Sequence, residues 1–257
     1  MGALHDGHTS LIRRARSEND VVAVSLFVNP TQFGVHEDLA KYPRPFDRDV
    51  ELARDEGVEI LFAPEAREMY SGPETQVHVN GLSDIWEGAI RPGHFDGVAT
   101  VVCKLFNIVQ PSKSYFGLKD LQQCMVIRRM VDDLKLRVVL EFCETIRESD
   151  GLALSSRNIY LSDDDRSRAP MLFQTLQKVE SHIRKDGFLP PGHRDESKVR
   201  LETAGFAVDY LEWVDLPNMT IASARQPNQA LIVAAKLGST RLIDNIVLKK
   251  ETFPTTC

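Results

Sequence analysis

Apolar and polar residues follow two spacings over the first two thirds of this chain. Val21 to Val28 (VVAVSLFV) is an almost unbroken apolar run, the pattern of a strand covered on both faces. Pro45 to Glu56 then reads as a helix, with proline near its start, acidic residues in its first turn and Gly57 as its stop. Val58 to Phe62 (VEILF) is a second strand. Asp96 to Val109 carries apolar residues at 98, 101, 102, 105 and 109, a helical stripe. Tyr115-Phe116 is a brief strand, followed by a helix over Leu121 to Asp132 and a strand over Val138 to Phe142. Strands alternating with helices predict right-handed crossovers and a mainly parallel sheet.

Beyond about residue 146 the texture changes. Ser162 followed by three aspartates marks a helix start, and the helix is expected to run towards Lys185. Residues 186–195 (DGFLPPGHRD) form a Gly/Pro-rich connector. A short helix over Ser197 to Ala204 leads to strands at Val208 to Val214, Leu231 to Leu237 and Leu242 to Leu248. This half reads as a smaller α+β domain, giving a division into 1–146 and 147–257.

Composition narrows the function classes. A chain of 257 residues with 42% hydrophobic content can bury a real core, in one large domain or two. A net charge of −6 argues against a nucleic-acid partner, which normally meets a basic surface. Cys103, Cys124, Cys143 and Cys257 form no CxxC pair and no metal-ligand spacing, as expected of reduced thiols in an intracellular protein. No apolar run approaches a membrane span and no signal peptide is visible, so no membrane partner is expected.

Four segments carry candidate chemistry. The first is Met1 to His8 (MGALHDGH), whose H-x-G-H cluster sets two imidazoles beside a helix expected from Thr9. Histidine donors, the permissive Gly7 and a helix N-terminus together suit a phosphate. A metal-site or surface pair of histidines is the competing reading. The second is Phe27 to Phe33 (FVNPTQF), where Asn29 and Gln32 follow a strand, at the end where open α/β sheets place ligands. Taken alone, a simple Asn-Pro turn explains it better. The third is Phe116 to Gln123 (FGLKDLQQ): Gly117 permits close approach, Lys119 is a point charge for phosphate, and Asp120 suits ribose hydroxyls or Mg²⁺. A solvated Lys-Asp pair is the bland alternative. The fourth is Arg147 to Asn158, read as a mobile loop whose Ser155, Ser156 and Arg157 are donors for an anionic oxygen. Arg91, in EGAIRPGH, offers a further anion contact. Together these describe a site for a nucleoside triphosphate and a small polar acid, with neither a hydrolase elbow nor a G-x-x-x-x-G-K-[ST] loop.

MGALHDGH, FVNPTQF, EGAIRPGHFDGVATVVCKLFNIVQP, FGLKDLQQ and RESDGLALSSRNIYL, in this order and spacing, resemble the pantothenate synthetase (pantoate–β-alanine ligase) family. The resemblance continues through LIVAAKLG at 231–238 and RLIDN at 241–245, and so covers nearly the whole chain. It implies a Rossmann-like parallel-sheet domain of the H-x-G-H nucleotidylyltransferase type, a smaller α+β C-terminal lid domain, a homodimer and a cytoplasmic location. It also implies a ligase that condenses pantoate with β-alanine. ATP and Mg²⁺ are used, a pantoyl adenylate is formed, and AMP and pyrophosphate are released.

By motif position, His5 and His8 become phosphate-contacting catalytic residues, with Lys119 and Arg157 beside them. ATP would contact Met1, Gly2, Ala3, Leu4, His5, Asp6, Gly7, His8, Gly117, Leu118, Lys119, Asp120, Ile146, Leu154, Ser155, Ser156 and Arg157. Gln32 and Gln123 would bind pantoate, Gln32 also lying near β-alanine, with Asn29, Tyr42 and Arg91 as further pocket residues and Asp49 as a Mg²⁺ contact. Leu118 stands where the family usually has a polar residue, and Thr31 where methionine is common.

The resemblance also predicts a helix and an apolar strand ahead of Met1, which the sequence does not contain. Their absence would leave neighbouring strands without backbone partners, each buried unpaired group costing about 1–3 kcal/mol. This is the expectation of an N-terminally truncated first domain, from a mis-assigned start or a fragment boundary. It keeps two alternatives open: a non-catalytic remnant, and another nucleotidylyltransferase.

Overall fold

The computed structural model describes residues 2–34, 37–72 and 75–248; Met1, read above as part of the first motif, lies outside them. It divides into two compact units, one of residues 2–118 with Gln122–Glu144 and one of Lys119–Leu121 with residues 145–248. No helix among the described residues is long and apolar enough to cross a membrane.

The first unit opens with α1 (Asp6–Glu18), three residues earlier than the pattern predicted, because His5 itself caps it. Its charged face carries exposed Arg13, Arg14 and Arg16, while Ile12 and Ala15 pack on Val22, Val24, Val58, Leu61 and Tyr115. Burying a side chain such as Ile12 is worth about 1.5–3 kcal/mol. Strand β1 (Ala23–Ser25) is much shorter than the run from Val21 to Val28. Its parallel partner β2 (Ile60–Phe62) offers only three residues, in register Ala23↔Ile60 to Ser25↔Phe62. Between them lie α2 (Phe46–Asp55), closed by Gly57 at φ +75°, and after β2 the single turns α3 (Ala66–Met69) and α4 (Glu87–Ile90).

Helix α5 (His94–Val109) buries Val98, Val101 and Val102 as expected. The stripe then leaves by Phe106, and Val109 is exposed. Strand β3 (Lys113–Gly117) pairs in parallel with β4 (Val139–Cys143), with α6 (Leu121–Leu134) as the crossover. The parallel pairing is the expected one, but it comes as two separate pairs; among the described residues no strand joins β1–β2 to β3–β4. Helix α1 touches both. Its core reaches Val24 of β1, and its C-terminal Glu18 accepts from Tyr115 and Lys113 of β3 at 2.9 and 3.2 Å.

In the second unit the long helix expected after Ser162 is two helices, α7 (Asp163–Arg168) and α8 (Met171–Asp186). Ser162 caps the first, its Oγ accepting from Asp165 N at 3.1 Å. Pro170, which has no N–H to donate, ends that helix and becomes the N-cap of the next. Helix α9 (His193–Thr203) starts at Gly192, a turn before the predicted Ser197. Leu172, Leu176, Val179 and Ile183 line one side of α8 and bury against an antiparallel sheet ordered β6-β5-β7-β8. Its strands are β5 (Phe206–Asp215), β6 (Thr220–Ile221), β7 (Gln229–Leu237) and β8 (Thr240–Leu248), the two-residue β6 being too short to leave a sequence signal.

Candidate active site

The H-x-G-H turn is built by reciprocal capping. His5 Nδ1 accepts from Gly7 N at 3.1 Å, and His8 Nδ1 accepts from His5 N at 3.3 Å. A neutral ring whose Nδ1 is an acceptor carries its proton on Nε2. Both rings therefore present an Nε2–H donor, with centroids 4.1 Å apart, at the positive end of a 13-residue helix.

The backbone before this turn is pinned from outside. Ala3 holds φ +50°, a left-handed conformation that L residues adopt reluctantly. Asp49 of α2, only 2% exposed, accepts from Ala3 N at 2.8 Å and from Leu4 N at 2.7 Å. Its two carboxylate oxygens are thus each committed to a motif amide. We therefore read Asp49 as a tether of the motif, a role beside the metal contact expected from the resemblance. No cluster of three or more His, Cys, Asp or Glu able to hold a metal occurs among the described residues. Gly2 is buried, and a Cβ there would lie 2.8 Å from Val28 Cγ2.

The amide loop after β1 is a 3₁₀ turn, Pro30–Gln32, organised by Asn29. Asn29 is 3% exposed. Its Oδ1 accepts from Thr31 N, Thr31 Oγ1 and Tyr70 OH, and its Nδ2 donates to Gly97 O and Gln32 Oε1. Asn29 is therefore an organiser of the loop. Gln32, partly buried, has its Oε1 oriented by that contact. Thr31, where methionine was expected, adds a hydroxyl contact to Tyr70 at 3.1 Å. Tyr42 packs edge-on against Phe33, centroids 5.7 Å apart.

Arg91 was expected as a further anion contact and pocket residue. It forms a two-pronged pair with Glu37, Nε to Oε1 at 2.7 Å and Nη2 to Oε2 at 2.5 Å. Burial raises the Glu37 pKa, but the Arg91 hydrogen bond and charge outweigh it and hold the carboxyl below its usual range. Next to Arg91, His94 has its pKa lowered to about 4, first by burial and then by the Arg91 charge.

After β3 the two adjacent glutamines have different fates. Gln122 is buried, donates to Leu82 O and Ile85 O at 2.8 Å each, and accepts from Glu87 N at 3.1 Å. Gln123 is only partly buried, one position further round α6. A Cβ on Gly117 would meet no protein atom within 4 Å, so packing does not dictate that glycine; close approach of another molecule would. Leu118 is buried, consistent with an apolar residue at that position.

In the second unit, Lys119 Nζ lies 3.7 Å from Asp120 Oδ1, and Asn245 Nδ2 donates to Lys119 O at 3.0 Å. The segment read as a mobile loop is a tight hairpin. Arg147 bridges Ala153, Leu154 N donates to Ile146 O at 3.0 Å, and Glu148 N donates to Leu152 O at 2.8 Å. Arg147 locks it, pairing with Asp244 at 2.7 and 2.8 Å while its guanidinium lies 3.6 Å from the Phe173 ring centre. Ser155 Oγ then accepts from Arg157 N at 3.2 Å, capping a 3₁₀ turn, Ser156–Tyr160. Ile146 is exposed, and Leu154, Ser155, Ser156 and Arg157 are partly buried.

Sequence reasoning missed Glu37, His94 and Gln122. Only their lodging inside the quoted motifs, or four residues beyond one, hinted at them.

Comparison with known proteins gives a consistent picture. The profile of a family described as pantoate-beta-alanine ligase matches residues 1–247. The chain is 47% identical over 251 residues to a pantothenate synthetase of Geobacillus kaustophilus, covering 97% of this chain and 84% of that one. It is 51% identical over 255 residues to one of Rhizobium johnstonii, covering 96% and 82%. Among solved structures, pantothenate synthetase from Thermus thermophilus superposes with a TM-score of 0.89 at 46% identity, covering 96% of this chain and 90% of that chain. A pantoate-beta-alanine ligase from Francisella tularensis, complexed with beta-gamma ATP and β-alanine, gives 0.79 at 36%, covering 96% and 87%.

Proposed function

The chain belongs to the pantoate–β-alanine ligase family, and from that premise we propose how its residues perform the reaction. It is a ligase that forms a C–N bond, joining pantoate to β-alanine at the expense of ATP. This displaces the reading as a different nucleotidylyltransferase. The observation that carries the residue roles is the tethered H-x-G-H turn, which aims two imidazole Nε2–H donors from a helix N-terminus.

The pantoate carboxylate attacks the α-phosphorus of ATP, the bond to the pyrophosphate oxygen breaks, and pantoyl adenylate forms. A carboxylate resists amine attack; the acyl phosphate does not. The β-alanine amine then adds to the acyl carbon, AMP leaves, and the nitrogen sheds its proton to give pantothenate. His5 and His8 donate to the phosphate oxygens on which charge accumulates, and Lys119, Ser155, Ser156 and Arg157 serve the same phosphates. The backbone of residues 2–4, Asp6 to Gly7, Gly117 to Asp120, Ile146 and Leu154 receive the rest of ATP. Gln32 and Gln123 hold pantoate through uncharged amides, which bind hydroxyls at less desolvation cost than a charge.

Mg²⁺ belongs to this proposal as a companion of the ATP phosphates, with Asp49, which also tethers the motif, as its expected protein contact. A homodimer and a cytoplasmic location rest on the family resemblance, and sedimentation tests the first.

The test is mass-spectrometric detection of pantothenate and AMP from ATP, pantoate and β-alanine. His8→Ala is expected to lower the rate by at least ~10²-fold, the scale of removing one transition-state donor. Pyrophosphate release without pantothenate would point to another acceptor and overturn the reading.

A further inference from the structure

The first turn of α5 clasps the loop that carries Gln32, and it does so with three separate devices. The first is close backbone contact. A Cβ on Gly97 would lie 2.4 Å from Thr31 O, 2.6 Å from Thr31 C and 2.7 Å from Gln32 N, so only glycine lets helix and loop lie flush. The second is Asn29 Nδ2, donating to Gly97 O at 3.1 Å. The third is His94, whose Nδ1 lies 2.7 Å from Gln32 O.

The carbonyl has no proton, so His94 Nδ1 must be the donor. In a neutral ring that leaves Nε2 as an acceptor, and Arg91 Nη1 lies 3.2 Å from it. Arg91 is fixed in turn by its two-pronged pair with Glu37. A directed chain results, from carboxylate to guanidinium to imidazole to carbonyl, and Arg91 Nη2 also reaches the Gln32 carbonyl directly, at 3.4 Å. A second proton on His94 would remove its acceptor and set two cations 3.2 Å apart. Arg91, Glu37 and Glu87 are the charged groups that act on the ring, and its face packs on Phe95 with centroids 4.9 Å apart.

We propose that His94 is a positioning residue for the acid-binding amide of Gln32, acting through the chain Glu37–Arg91–His94 that ends on the Gln32 carbonyl. His94 touches no substrate. It fixes the peptide from which the amide projects, and with it the geometry offered to the acid. The inference rests on the assignment of Gln32 to pantoate made above.

Two variants test it. His94→Leu keeps the bulk and loses both hydrogen bonds; His94→Asn keeps a donor close to the Nδ1 position. In steady-state assays His94→Leu is expected to raise the KM for pantoate about tenfold, the scale of one buried hydrogen bond. The KM for ATP should stay within about threefold, since the H-x-G-H turn is untouched. His94→Asn should recover most of the loss. Hydrogen exchange on the same proteins reads the loop without any activity. The amides of Thr31 and Phe33, bonded to Asn29 Oδ1 and Pro30 O, should exchange faster in His94→Leu and return towards wild type in His94→Asn.

Equal rises in both KM values, or unchanged loop exchange in a folded His94→Leu, overturn the inference. A wild-type protein that makes no pantothenate overturns the function assigned to Gln32 instead, and the exchange experiment still decides whether His94 holds the loop.

Discussion

Replacing Asp49 by asparagine is the sharpest perturbation available, because it separates a tether from a metal ligand by one atom. In the native protein each carboxylate oxygen takes one amide, Ala3 N at 2.8 Å and Leu4 N at 2.7 Å, at a site 2% exposed. Asparagine keeps one acceptor and turns an NH₂ group towards the other amide, donor against donor. A hydrogen bond to a charged group is worth about 1.5–3 kcal/mol, so Asp49→Asn should cost roughly 2–3 kcal/mol.

The loss falls where Ala3 is held at φ +50°, a conformation disfavoured by roughly 1–2 kcal/mol that persists only while its surroundings impose it. Once released, the turn carrying His5 and His8 shifts, and a misplacement of about 1 Å costs about 10²-fold in rate. Urea unfolding followed by tryptophan fluorescence reads the stability, and pyrophosphate release at varied ATP reads the kinetics. The expected result is kcat/KM for ATP down about 10²-fold, with the pantoate KM within a few-fold of wild type. Stability within about 0.5 kcal/mol of wild type together with normal ATP kinetics would refute the tether. Rescue by raised Mg²⁺ would assign the loss to the metal contact instead of the tether.

Two further outcomes follow from buried charges. His94 titrates near 4 when folded against 6.5 ordinarily, so between these values the unfolded chain takes up a proton that the folded chain refuses. Its contribution is fully present above pH 6.5 and is lost as the pH falls towards 4. From pH 7.5 to 5, wild type should lose about 2 kcal/mol more stability than His94→Asn; parallel losses in urea titrations would contradict this. Arg147→Met strands Asp244, whose side chain is 3% exposed, and should destabilise the second unit by about 3–5 kcal/mol in thermal or urea melts. Adding Asp244→Leu should recover much of that, and a double variant no better than the single one would argue against a stranded charge.

What the sequence revealed depended on how local the cause was. The Ser162 cap and the Gly57 stop are written within a few consecutive residues, and each is found where the pattern placed it. Pro170 was equally visible, yet the acidic start before it and the apolar spacing after it disguised two helices as one. Side-chain commitments across the chain were not legible. Asp49 reaches back 45 and 46 residues to its partners, and Arg91 lies 54 residues from Glu37. Local spacing says nothing of what Asp49 and Arg91 already hold. The resemblance located the candidate site; the tethers that shape it required coordinates.

Gln122 and Gln123 present the same side chain at neighbouring positions with opposite tolerance to change. Gln122 stitches Leu82, Ile85 and Glu87 together through three hydrogen bonds, so any shorter or apolar replacement leaves carbonyls and an amide of that turn exposed to no partner. Gln123 bears no such duty. For anyone evolving the enzyme towards a different acid, a library that randomises both codons wastes most of its members on collapse of the 82–87 turn. Randomising codon 123 alone keeps the scaffold and varies the side chain proposed to meet the acid.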